Sequence, residues 1–246
     1  MEIDVDPAEL KAIILDVLRS EAGRDAIRDG TIAGWHFIRQ DGRGMIDAIA
    51  AHKSAEFVLE NIPLHLGKKH YDLRRDAILA APEGGLFLEF GVWRADWINR
   101  FAKMRDVQFF GFDSFEGLPE PWSTMPAATF SLGGALPAVE ANVTLIKGWF
   151  SNTLPGFLEE HAEKVSFIHM DCDTYSSTMD TLRPLRDRLQ VGTQIVLDDF
   201  MLMPGWQKEE HRAFFEFMQA EGFTWEYTGY ANEYPACSAG VVITGV

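Results

Sequence analysis

The chain has 246 residues with 37 acidic against 22 basic side chains, a formal charge of −15 at pH 7, so long-range repulsion excludes unspecific binding to a phosphate backbone or an anionic membrane. A hydrophobic content of 47% excludes disorder and can fill a substantial core. Two cysteines, Cys172 and Cys237, are too few for a disulfide framework, and neither a signal-type N-terminus nor a run of about 18 apolar residues occurs; a cytoplasmic protein is expected.

In chain order, Asp6-Pro7-Ala8-Glu9 reads as a helix start: aspartate at the N-cap, proline at the first helical position and glutamate three residues past the cap. The helical texture continues to about residue 81, so 1–81 is expected to be a helical lid or oligomerisation region, able to supply a homodimer surface. After Pro82-Glu83-Gly84-Gly85 the pattern changes. Short apolar runs at 86–91, 107–113, 143–147, 165–171 and 193–198 read as fully buried strands, with helices predicted at 94–104, 153–163, 175–190 and 206–220. Such alternation implies right-handed crossovers and a doubly wound α/β domain over 82–246. Two tail segments, 223–230 and 239–246, read as an edge hairpin, giving a mainly parallel seven-stranded sheet. The stretch 116–139 is too long for an ordinary connection and reads as a lid or substrate loop.

Ligands of doubly wound sheets bind outside the carboxyl ends of the strands, and the polar residues collect there. The first buried strand ends in Glu89-Phe90-Gly91-Val92, where glycine allows close approach of a cofactor. The second ends at Asp113, near the offset of about 20 residues at which an acidic group takes ribose hydroxyls. A single glycine in the first loop means that the dinucleotide fingerprint is absent, which leaves room for another adenosine cofactor. The fourth strand ends in Asp171-Cys172-Asp173 and the fifth in Asp198-Asp199-Phe200. Four carboxylates around one mouth cannot all ionise without a cation. Hard oxygen donors favour Mg2+, or Mn2+ or Ca2+, over zinc. His169 reads as a core residue, Cys172 as a buried spacer, and Trp93, Trp97 and Trp122 as packing. Lys208 to Arg212 reads as a solvated helix face.

The stretches FLEFGVWR, FFGFDSFEGLPE, KGWFSNTLP, HMDCDTYSSTMDTLRPL and VLDDF, between about residues 82 and 206, resemble the macrocin O-methyltransferase (TylF-type) family, the sugar O-methyltransferases of macrolide and aminocoumarin pathways. The resemblance implies a class I, Rossmann-like S-adenosylmethionine (SAM) fold. It puts Glu89, Gly91 and Val92 in the SAM loop and Asp113 on the ribose, with Ser114 and Phe115 beside the adenosine. Gly148, Trp149 and Phe150, after Lys147, would line the adenine pocket. Asp171, beside the cofactor, would bind Mg2+ with Asp198 and Asp199, and Asp173 would be the general base. The acceptor would be a small hydroxylated molecule. Ala95-Asp96-Trp97 stands where the family has small residues.

Two other enzyme classes use parts of this pattern. A haloacid-dehalogenase-like phosphatase would use Asp171 as nucleophile in a strand-end DxDxT, but that motif ends the first strand of its domain, and here three strands precede it. A glycosyltransferase would use DxD for a nucleotide-sugar metal and leave Glu89 and Asp113 unexplained. A SAM-binding module without activity would have no use for four clustered aspartates.

Overall fold

A computed structural model of the chain describes residues 42–233 and 236–246, together with 12, 15, 16, 19–22, 24 and 25. The helix start expected at Asp6 lies outside the described residues. The elements in order are α1 (Gly42–Asn61), β1 (Gly67–Lys68), α2 (His70–Ala80), β2 (Leu86–Phe90), α3 (Ile98–Phe101), β3 (Phe109–Asp113), β4 (Val143–Lys147), α4 (Phe150–Glu160), β5 (Val165–Met170), α5 (Tyr175–Leu185), β6 (Gln194–Met201), α6 (Glu210–Glu221), β7 (Thr224–Glu233) and β8 (Ala236–Gly245).

They build one eight-stranded sheet in the order β1-β7-β8-β6-β5-β2-β3-β4. The strands from β6 to β4 are parallel, and β8 runs antiparallel between β6 and β7. The expected doubly wound architecture is observed, with one strand more than expected. The two-residue β1 pairs with β7, so the tail hairpin is not the sheet edge. So short a strand, with a glycine and a lysine, carries no apolar run to announce it. The chain order reverses between β2 and β5, which makes that pair the topological switch point.

Alternation of side chains along the strands sorts the core into two layers. Leu86, Leu88, Phe90, Ile168, Met170, Ile195 and Leu197 face one side, with α4, α5, α6, Ala50 and Val58 of α1, and Ile62 just after it. Phe87, Phe109, Phe167 and Val196 face the other, against Leu73, Ala77 and Ile78 of α2 and Ile98 and Phe101 of α3. The helix predicted over 94–104 shrinks to α3, because Trp93 and Ala95 take positive φ values of 45° and 64°, which no helix accommodates.

The three strand ends nearest the switch point are stitched together at Gly91. Its N–H donates to Phe112 O at 3.0 Å, and Asp171 N–H donates to Phe90 O at 2.8 Å. Gly91 has φ +89°, and a Cβ there would lie 1.6 Å from the Asp171 carbonyl oxygen. Gly91→Ala is therefore expected to cost about 3 kcal/mol or more, read as a lowered urea midpoint with unchanged m-value.

Candidate active site

A cavity of about 620 Å³ opens over the carboxyl ends of β2, β3, β5 and β6. Its first wall is the loop after β2. Asp113 Oδ2 accepts from the backbone N–H groups of Val92 at 2.8 Å and Trp93 at 2.7 Å, and Oδ1 accepts from Phe115 N–H at 2.6 Å. Asp113 thus shapes the turn itself, while a carboxylate retains acceptor capacity for a further donor. Glu89, Gly91, Val92, Ser114, Trp149, Phe150 and Asp171 line the cavity as well. Phe115 does not: its side chain is buried in the layer under α2 and α3, with φ 57°. Gly148 makes the turn after β4, donating to Asp113 O at 2.9 Å.

Strand parity divides the acids. Glu89 pairs with His169, and His169 with Val196, across β2, β5 and β6. Glu89, His169 and Asp198 therefore stand on the side of Phe87, Phe167 and Val196, toward α2. From α2 the buried Arg74 reaches into them. Its Nε donates to His169 Nε2 at 2.9 Å, and Nη2 donates to Asp198 Oδ1 and, at 3.1 Å, to Ser238 Oγ. Ser238 Oγ in turn donates to Asp198 Oδ1 at 2.8 Å.

Asp199 is one residue further along β6 and points to the opposite face. There it meets Asp171 and Asp173, one oxygen of each lying within 4.8 Å of the others. Asp173 is buried at φ 65°, a left-handed turn that aspartate tolerates better than most residues. Thr174 caps α5 behind it by accepting from Ser177 N–H. Of the four aspartates singled out in the sequence, three converge, and the Asp198 carboxylate is held by Arg74 and Ser238.

Burial and mutual repulsion hold protons on this cluster. Desolvation, with Asp173 nearby, raises Asp171 to about 7, and it raises Asp199 well above the usual carboxylate range and Asp173 above its ordinary value. Glu210, at the start of α6, is also raised well above that range by burial and by Asp173 and Asp171. It is fully buried and neither carboxylate oxygen has a hydrogen-bond partner, so the segment from Lys208 to Arg212 is not a solvated face throughout. Its sequence of charged residues hides that the first turn of α6 tucks under β6.

Sequence reasoning missed Arg74 and set aside three tryptophans that line the cavity, Trp93, Trp97 and Trp122. An arginine inside an amphipathic helix resembles any solvated one, and tryptophan is as often packing as recognition. The long loop after β3 covers the cavity as an ordered flap. Leu118 and Trp122 pack with Met203, joined by Met125 and Phe130, and Ser176 Oγ donates to Glu120 Oε1 at 2.6 Å. Among the described residues no helix is long and apolar enough to cross a membrane.

The sign of the pH dependence follows from the raised acids. A carboxyl with a folded pKa above its unfolded value of about 4 binds more protons when folded, so its contribution is complete below that pH and is lost as pH rises through the folded value, about 7 for Asp171. In chelator, the melting temperature is expected to fall between pH 5 and pH 8, and Glu210→Gln to flatten that slope; an equal slope in this variant, by calorimetry, would remove Glu210 from the account.

The sequence profile of the Macrocin-O-methyltransferase (TylF) family matches residues 135–225. The chain is 27% identical over 177 residues to demethyldecarbamoylnovobiocin O-methyltransferase of Streptomyces niveus, covering 58% of this chain and 66% of that protein. It is 30% identical over 155 residues to 8-demethyl-8-(2,3-dimethoxy-alpha-L-rhamnosyl)-tetracenomycin-C 4'-O-methyltransferase of Streptomyces olivaceus, covering 52% of this chain and 57% of that one. The chain thus spans just under two thirds of the first relative and little more than half of the second. A solved calicheamicin methyltransferase superposes with a TM-score of 0.57 at 24% identity, over 76% of this chain and 85% of that one, which is a likeness of fold. The matched segment contains Trp149, Asp171, Asp173, Asp198 and Asp199; over that segment the chain is similar to the TylF-type macrocin O-methyltransferases, and its sheet is that of a class I methyltransferase fold.

Proposed function

We propose that the protein is a SAM-dependent O-methyltransferase that uses a divalent cation, in the first instance Mg2+, to methylate a hydroxyl of a small natural product, a sugar or vicinal diol. The observation that carries this reading is the convergence of Asp171, Asp173 and Asp199 in the same cavity as the Glu89–Gly91 loop.

The donor set fits a hard cation: three carboxylates, each offering an oxygen, with protons held on them by burial for want of a compensating charge. Asp171 and Asp199 would hold the ion, with Asp173 bordering it. A divalent cation supplies Lewis-acid stabilisation of the negative charge that develops on an acceptor hydroxyl. The lining of the cavity fits an adenosine cofactor, since it brings together the aromatic Trp149 and Phe150 and the acids Asp113 and Glu89; Glu89 Oε2 is a buried oxygen without a partner, a place for a donor from the ligand.

Bound SAM would supply the methyl group, leaving as its thioether, and the acceptor hydroxyl would give up its proton to a base of this chain. Asp173 is that base in this reading: it borders the cation site, and burial raises its affinity for protons above that of an ordinary carboxylate. The flap of Leu118, Trp122 and Phe130 excludes water and offers apolar surface to the rest of the acceptor. Holding both reactants in line supplies much of the acceleration.

Asp173→Asn, which keeps the left-handed turn accessible, is expected to lower kcat by about 10²- to 10⁴-fold while leaving SAM affinity by calorimetry unchanged. Unaltered turnover in this variant would remove Asp173 as base. Mn2+ binding followed by electron paramagnetic resonance should weaken by about tenfold or more in Asp199→Asn and change little in Asp198→Asn. The opposite order would return Asp198 to the ligand set. If SAM does not bind with or without Mg2+, the methyltransferase reading itself fails.

A further inference from the structure

Arg74 has no role in the reading above, yet it is the most elaborately bonded side chain near the cavity and it comes from α2, ahead of the strands that carry the acids. No part of the residue is exposed to solvent. Besides its bonds to His169, Asp198 and Ser238, Nη1 donates to the His70 carbonyl at 3.2 Å and lies 3.1 Å from His70 Nδ1. The guanidinium carbon sits 4.2 Å over the ring of Trp97. A desolvated cation is attracted to an indole face by the ring quadrupole, so Trp97 helps to hold the guanidinium in place.

Hydrogen-bond logic then fixes protons. A guanidinium only donates, so His169 Nε2, 2.9 Å from Arg74 Nε, is an acceptor and carries no proton. The ring proton is therefore on Nδ1, which lies 2.8 Å from Glu89 Oε1 and donates to it. Glu89 Oε1 is thereby committed, and Oε2 is the oxygen left for a ligand.

We propose that Arg74 is a positioning residue for the cofactor-side carboxylate: it locks neutral His169 in the Nδ1–H form, and that form holds Glu89 with one oxygen free for the cationic methyl donor. The consequence for the donor rests on the methyltransferase reading; the lock on His169 does not. Lysine keeps the charge but cannot reach His169, Asp198, Ser238 and His70 together, since the fork geometry is lost.

The test is nitrogen-15 NMR of protein labelled at its seven histidines, with His169 assigned by the signal lost in His169→Gln, alongside calorimetry with SAM. The unmodified protein should show the Nδ1–H coupling pattern at His169. Arg74→Lys should show the Nε2–H or an averaged pattern, with SAM Kd raised about tenfold or more and kcat at saturating SAM nearly unchanged, the signature of lost ground-state binding. An Nδ1–H pattern that persists in folded Arg74→Lys, or an unchanged Kd, overturns the proposal. If the lysine variant does not fold, Arg74→Met combined with Asp198→Asn removes the cation and its carboxylate together, and the same two readouts decide. If the unmodified protein does not bind SAM, the methyltransferase reading fails and the histidine pattern alone decides the role of Arg74.

Discussion

Side chains on a strand alternate between the two faces of the sheet, and in this protein that rule decides where charge goes. On β6 it sends Asp198 toward α2 and Asp199 toward the cavity side of α6. On β2 and β5 it sets Glu89 beside His169, on the same face as Asp198. One face therefore receives two carboxylates, a histidine and a buried arginine, while the other receives carboxylates alone. Asp171, just past the end of β5, adjoins both groups.

The two groups solve the same electrostatic problem in different ways. Charges removed from water are costly unless paired. Around Arg74 the pairing is internal: burial lowers the guanidinium to about 10, Asp171 and Glu89 act in the other direction, and the group stays a cation at neutral pH. Around Asp199 there is no such partner among the described residues, so protons take the place of a cation and the acids titrate high. Glu210 sharpens this contrast, being buried beside the cluster with both oxygens unpartnered.

The doubly wound architecture was legible in the sequence because buried parallel strands announce themselves as short apolar runs, and five of them were placed within a few residues of where they lie. The shortened α3 was not, because the positive φ values at Trp93 and Ala95 belong to a loop drawn around Asp113, a residue some twenty positions away. β1 was not legible either, since two residues carry no periodicity. At the site, Glu89, Asp113, Asp171, Asp173 and Asp199 could be read because acids at strand ends are conspicuous. Arg74, Trp97 and Glu210 could not, because each sits on a helix or loop whose local pattern is ordinary and acquires meaning only from what it packs against.

Composition and motif spacing determined by themselves that the chain folds as an α/β domain, that its acids gather at the carboxyl end of the sheet, and that it resembles one family of methyltransferases. These are properties of local pattern, and local pattern survives in a linear sequence. Which acids share a space was decided only by the tertiary structure. Neighbours in sequence, Asp198 and Asp199, point apart because the strand pleat separates them, while Arg74 and Asp198, far apart in the chain, meet because α2 packs across β6.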